Sequence, residues 1–232
     1  MIETIVFDID GTLYNETDLK AVAELKVARY LSDFSPYDAE EIYSKYRTVK
    51  DEYIKEHKGG PAANDRTKWF EILFKEMRIE KLDPKEATDF YWENIYTRMN
   101  PFEDVVDVLP ELQKRFDLYL MTDESEEVYK NKIKSLKLDG FFSRGFTAEE
   151  VGVTKPNIRF FEYVISKINK DKEKILIIGD NPSADIRGGN AAGIRTAWLK
   201  RGKYNYYSLK DGDMPDIKIS NYIQLIKKIE KL

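Results

Sequence analysis

The chain has 232 residues, 38 of them Lys or Arg against 42 Asp or Glu, for a formal charge of −4. That length buries a sizeable core in one large domain or two, and scattered, nearly balanced charge gives no electrostatic reason to expect nucleic acid as a partner. The chain has no cysteine and a single histidine, His57, which excludes disulfides and thiolate metal sites and leaves little scope for imidazole metal sites or a Ser-His-Asp triad.

The first element is a short buried-type strand, Glu3 to Phe7, followed by a loop from Asp8 to Asn15. From Thr17 the period becomes helical, with Leu19, Val22, Ala23, Val27, Tyr30, Leu31 and Phe34 on one stripe. Ser35-Pro36 predicts a stop and a restart, with Ser35 as N-cap, Pro36 at the first helical position and Asp38 three residues after the cap. Ile42, Tyr46, Val49 and Tyr53 form the second helix's stripe. "HKGGPAAND" reads as a loop. A third helix carries Trp69, Leu73 and Met77, and Asp83-Pro84 starts a fourth with Ala87, Tyr91 and Ile95. Residues 16–99 are therefore expected to be an all-helical unit.

After Pro101 helices alternate with short apolar strands. Val105 to Arg115 reads as a helix in which Pro110 implies a kink or a late start. "LYLMT" is a strand, Glu126 to Leu136 a helix and "FFSRGF" a strand. Pro156 to Ile168 is a helix starting at its proline, and "KILIIGD" is the strongest strand in the chain. Ser183 to Ala192 is a short helix, "RTAWL" a strand, "DIKIS" a weak last strand and Tyr222 to Ile229 a final helix. Strands separated by helices predict parallel βαβ units with right-handed crossovers. The expected fold is α/β: a Rossmann-like parallel sheet core, residues 1–15 and 100–232, with the helical unit inserted after its first strand.

Ligands of open parallel sheets bind beyond the C-terminal strand ends, and the polar residues cluster there. Asp8 and Asp10 follow the first strand, Thr122 and Asp123 the second, Lys155 precedes a helix, and Asp180 and Asp185 follow the strongest strand. Neighbouring carboxylates repel unless a positive group separates them. Acidic oxygens without His or Cys point to Mg²⁺ as that group. Lys155 and the Thr122 hydroxyl add a positive charge and a donor for an anionic oxygen, a combination suited to a phosphoryl group.

These residues resemble the motifs of the haloacid dehalogenase-like (HAD) superfamily of phosphatases. "DIDGT" is similar to its first motif, Thr122 in "LYLMT" to its second, Lys155 in "VTKPN" to its third and "GDNPSAD" to its fourth; residues 16–99 resemble its C1-type helical cap. The resemblance implies that Asp8 is the nucleophile, forming an aspartyl-phosphate, and that Asp10 protonates the leaving alcohol and then deprotonates water. It further implies that Mg²⁺ is held by Asp8, the Asp10 backbone carbonyl, Asp180, and Asp185 directly or through water. Thr122 and Lys155 would hold phosphoryl oxygens, Gly11 would let the backbone turn beside the phosphate, and Thr12 would support that loop. Asp123 would either cap the next helix or meet phosphate through its N–H.

The function implied is a Mg²⁺-dependent phosphomonoesterase acting on a small phosphorylated metabolite, with no nucleic-acid or membrane partner. Alternatives on the same fold are a 2-haloacid dehalogenase, which characteristically lacks an acid at the position of Asp10, and a phosphomutase; a non-enzymatic phospho-accepting module is a third class. His57 reads as a surface residue. Arg66 and Lys68 are candidates for a substrate's second anionic group, or equally solvated helix-start charges. No apolar run is long enough to span a bilayer, and Met1 leads directly into strand-like sequence, so a cytoplasmic protein is expected.

Overall fold

The computed structural model describes residues 1–230 and 232. It divides into two compact units, one comprising Met1–Glu16 and Asn100–Leu232, the other Thr17–Met99. In chain order the elements are β1 (Thr4–Phe7), α1 (Glu16–Ser32), α2 (Ala39–Glu56), α3 (Arg66–Met77), α4 (Pro84–Tyr96), α5 (Glu103–Gln113), β2 (Asp117–Thr122), α6 (Glu126–Ser135) and β3 (Gly145–Thr147). There follow α7 (Ala148–Val151), α8 (Ile158–Ile168), β4 (Ile175–Gly179), α9 (Arg187–Ala192), β5 (Arg195–Leu199), β6 (Ile217–Ile219) and α10 (Tyr222–Ile229).

The six strands form one sheet in the order β3-β2-β1-β4-β5-β6, and every pairing is parallel. β1 and β4 are buried along their whole length, as expected of parallel strands covered on both faces. Val6 and Ile177 pack with Met121, Phe146, Phe160, Phe161 and Val164 into one apolar cluster. Phe7, one residue on and so on the opposite face, meets Phe142 and Tyr222 at ring-centroid distances of 5.8 and 6.0 Å. Parallel pairing places all C-terminal strand ends on one edge. Phe7 lies beside Leu120 on one side and Ile178 on the other, so the residues that follow these strands emerge together where the strand order reverses, between β1 and β4.

The helical unit has its own core. Ile42, Tyr46 and Val49 of α2, Phe70 and Leu73 of α3, and Ala87 and Tyr91 of α4 are buried, with Tyr46 stacked on Phe70 at 5.2 Å and Tyr30 on Phe90 at 4.7 Å. Val22, expected on the buried stripe of α1, is 40 % exposed.

Several boundaries differ from expectation for identifiable reasons. Asp38, not Ser35, caps α2: its Oδ1 accepts from the N–H groups of Glu40 and Glu41, both at 2.9 Å, while Glu41 accepts from Asp38 N–H at 3.0 Å. That reciprocal box satisfies donors that the first turn leaves without an intrahelical partner. α5 runs through Pro110 because that residue faces solvent, where water can meet the carbonyl the missing N–H leaves. β3 is confined to Gly145–Thr147 at the sheet edge, Phe141 and Phe142 lying outside it. α8 starts at Ile158 instead of Pro156, because the Asn157 side chain accepts from Arg159 N–H and acts as the cap. Ahead of α9 lies a π-helical turn, Pro182–Ile186.

Candidate active site

The site forms at the reversal of strand order. The Asp8 N–H donates to the Ile178 carbonyl at 2.8 Å, so β1 stays registered to β4 up to the residue where its side chain turns polar. The loop then closes with Thr12 and Leu13 N–H on the Ile9 carbonyl at 3.3 and 2.9 Å. Gly11 makes that turn at φ +81°, and a Cβ there would overlap the Asp180 carboxylate; both the left-handed backbone and the close approach call for glycine. The Thr12 hydroxyl donates to Asp8 Oδ2 at 2.8 Å and accepts from Asp180 N–H at 3.1 Å, tying the ends of β1 and β4 together. Tyr222 Oη donates to the Thr12 carbonyl at 3.1 Å and Trp198 Nε1 to the Asp180 carbonyl at 3.0 Å, bracing both loops from behind.

Asp8, Asp180 and Asp185 are buried, with carboxylate oxygens of the three within 4.8 Å of one another. Lys155, 9 % exposed, reaches Asp8 Oδ1 at 2.5 Å and Asp185 Oδ1 at 2.6 Å. Asp185 arrives from the π-helical turn, which folds it back so that its Oδ2 accepts from Asn181 N–H at 3.1 Å. Such turns recur at functional sites.

Electrostatics of the cluster follow from burial. Loss of solvent pushes Asp180 up to about 9, with Asp8 and Asp185 adding repulsion. Asp8 is pushed up to about 7 by burial, a rise that Lys155 opposes and that Asp185 and Asp10 increase. Burial disfavours the Lys155 ammonium, but Asp185, Asp8 and Asp123 outweigh it and hold the group well above its ordinary value. One lysine does not neutralise three carboxylates, so the donor set fits a further hard cation.

The remaining expected residues divide. Thr122 is buried at the end of β2, its Oγ1 accepting from Glu124 N–H at 3.2 Å. The Asp123 carboxylate does not cap α6, a role Ser125 fills; it accepts from Lys155 N–H at 2.9 Å and so fixes the loop that presents that lysine. Burial raises Asp123 to about 6, with Lys155 opposing. The Asp10 carboxylate lies outside the three-acid cluster. It is held by Lys132 Nζ, at 2.6 and 2.7 Å from its two oxygens, and by the Tyr14 hydroxyl. Sequence reasoning does not single out Tyr14, Glu124 or Lys132. The available signal was the position of Lys132 in the Val128–Lys132–Leu136 stripe of α6, four residues from an apolar neighbour on either side.

In the helical unit, His57 ends α2, is exposed and stacks on Tyr53 at 3.9 Å. Lys68 is exposed and paired with Glu71 at 2.7 Å. Arg66 is not a solvated helix-start charge. It is 5 % exposed, its guanidinium carbon 5.1 Å from the Trp69 ring and 4.9 Å from the Trp92 ring, with Nη1 donating to the Asn64 carbonyl at 2.6 Å.

A doubly wound parallel sheet with buried carboxylates and a lysine gathered at its switch point defines an α/β protein built for charged small-molecule chemistry. The model of the haloacid dehalogenase-like hydrolase family matches residues 5–199, and the chain belongs to that family. It is 28 % identical to a glyceraldehyde 3-phosphate phosphatase of Methanopyrus kandleri over 100 % of this chain and 99 % of that one. It is 26 % identical to the pyrimidine 5'-nucleotidase PynA of Streptococcus pneumoniae, covering 98 % and 94 % of the two chains. Among solved structures, the magnesium-bound HAD-hydrolase YfnB of Bacillus subtilis superposes with a TM-score of 0.73 at 23 % identity, over 99 % of each chain.

Proposed function

We propose that the protein hydrolyses phosphomonoesters of small metabolites in two steps, with Asp8 as nucleophile and Asp10 as acid and base. The observation that carries this reading is the contrast between two carboxylates on one loop. Asp8 sits among Lys155, Asp180 and Asp185, whereas Asp10 is held apart by Lys132 and Tyr14. Distinct surroundings for neighbouring carboxylates are what a division of labour between nucleophile and acid requires. The phosphatase relatives support the reaction class.

In the first step an oxygen of Asp8 attacks phosphorus, the phosphorus–ester oxygen bond breaks, and the Asp10 proton passes to the departing oxygen, releasing the alcohol. In the second, water attacks phosphorus and gives a proton to Asp10; the bond to Asp8 breaks, releasing inorganic phosphate and restoring both side chains. Lys155 and Thr122 hold phosphoryl oxygens, and the backbone N–H of Asp123 is placed with them in this scheme. Gly11 and Thr12 shape the loop, Thr12 by fixing Asp8.

Mg²⁺ is assigned to Asp8, the Asp10 backbone carbonyl and Asp180. Asp185, whose carboxylate lies with those of Asp8 and Asp180, is assigned to hold it directly or through water. When bound, the ion supplies charge neutralisation at the phosphoryl oxygens. Residues 16–99 are assigned the role of a cap. The test is phosphate release from phosphometabolites and p-nitrophenyl phosphate, with Mg²⁺ and with EDTA, by wild type and Asp8→Asn. Metal-dependent release by the wild type alone is expected; undiminished release by Asp8→Asn contradicts the scheme. Halide release from a 2-haloacid without Mg²⁺ would move the assignment to dehalogenase chemistry.

A further inference from the structure

Lys132 is fully buried, and its ammonium meets Asp10 Oδ1 at 2.6 Å, Asp10 Oδ2 at 2.7 Å and Glu124 Oε1 at 3.3 Å. A lysine in an inward stripe of a helix needs an account, because a buried ion pair contributes little stability over apolar residues of similar volume. A leucine between Val128 and Leu136 would serve packing as well. What a leucine would not do is hold a carboxylate. Tyr14, itself 1 % exposed, donates its hydroxyl to Asp10 Oδ1 from the other end of the loop. Two donors from separate elements therefore meet one carboxylate, which fixes its orientation as well as its position. The clamp is also linked to the phosphoryl side of the site: Glu124, which holds Lys132, gives its N–H to Thr122 Oγ1.

We propose that Lys132 is a positioning residue, which with Tyr14 sets the orientation of the Asp10 carboxyl; when Asp10 takes up its proton, one oxygen leaves the ammonium and carries that proton to the departing alcohol while the other stays held. The assignment rests on the two-step scheme above. In that scheme Lys132 touches neither substrate nor the reacting atoms; it acts through Asp10. Misplacing a catalytic group by about 1 Å costs on the order of 10²-fold in rate, and that is the scale of effect expected from releasing the clamp.

Leaving-group dependence separates this role from general support of the fold. An alkoxide needs a proton as it departs, whereas p-nitrophenolate is weakly basic and leaves without one. The parameter kcat/KM covers the steps through release of the alcohol. Lys132→Met should lower kcat/KM for glycerol phosphate by about 10²-fold and for p-nitrophenyl phosphate by less than about 10-fold. Lys132→Arg should restore most of the alkyl rate, and Tyr14→Phe, which preserves volume, should show the same selectivity at a few-fold. A crystal structure of Lys132→Met should show the Asp10 side chain rotated. Equal losses on both substrates, or none, overturn the positioning role while leaving the two-step scheme intact. Should Lys132→Met fail to fold, the substrate ratio in Tyr14→Phe and Lys132→Arg decides the matter by the same criterion. Absence of phosphate release by the wild type from either ester removes the two-step scheme and this role with it.

Discussion

Both units of the molecule bury cations, and they do so by different chemistry. At the strand ends Lys155 and Lys132 lie among carboxylates at 2.5 to 3.3 Å. In the helical unit Arg66 lies between two indole rings with a backbone carbonyl at its tip. The first arrangement concentrates like charges: burial and mutual repulsion raise Asp8 and Asp180 well above the ordinary carboxylate range. The second spreads one charge over aromatic faces inside a core that already holds Tyr46, Phe70 and Tyr91. The strand-end charges are therefore poorly explained by packing, because packing had a milder solution available in the same chain.

Removing cations should therefore have unequal effects. Lys155→Met leaves Asp8 and Asp185 buried without their shared partner and should destabilise the fold by about 3–5 kcal/mol, read by urea denaturation, as well as abolish phosphate release. Gly11→Ala forces a side chain into left-handed backbone and against Asp180; a loss of about 2 kcal/mol or more is expected, with phosphate release falling in step. Arg66→Met removes two ring contacts and should lower stability by about 1–2 kcal/mol, while kcat for p-nitrophenyl phosphate stays within about twofold. A loss of turnover in Arg66→Met as deep as in Lys155→Met would erase the distinction between the two units.

A dependence on pH and metal is expected as well. Folded-state values of about 7 for Asp8 and about 9 for Asp180 exceed the unfolded value of 3.8. Without cation, the folded chain therefore keeps protons that the unfolded chain has released. Their contribution to stability is full below about pH 4 and declines as pH rises toward the folded values. Mg²⁺ should accordingly raise Tm by more at pH 8 than at pH 6. Asp180→Asn should reduce that Mg²⁺ response and raise the metal-free Tm by a few degrees, about 2–4 °C for each ~1 kcal/mol recovered. Differential scanning fluorimetry across pH, with and without EDTA, checks both.

The strand-end residues were legible because an apolar run that ends in Asp, Thr or Gly-Asp places polar groups at a definite point of a parallel sheet. The family resemblance then gave Asp8, Lys155 and Asp180 their expected neighbourhood. Lys132 was not legible in the same way. A lysine in "KNKIKS" looks like one more solvated charge unless its place four residues after Val128 and four before Leu136 is weighed, and the structure buries it. The burial of Arg66 is illegible for the same reason, since charge at a helix start says nothing about whether tryptophans cover it. The Asp38 cap was hidden by the stronger-looking Ser35-Pro36 pair, and the π-helical turn carrying Asp185 leaves no periodic trace in five residues.

The central claim is that Asp8 carries the phosphoryl group while Asp10 moves the protons. Acid-quenched turnover of a phosphomonoester with Mg²⁺, followed by digestion with pepsin at low pH and mass spectrometry of the peptide carrying Asp8 and Asp10, tests it most directly. A phosphoryl group on Asp8 in the wild type and none in Asp8→Asn is the expected result. A phosphoryl group on Asp10, or continued phosphate release by Asp8→Asn, would contradict it.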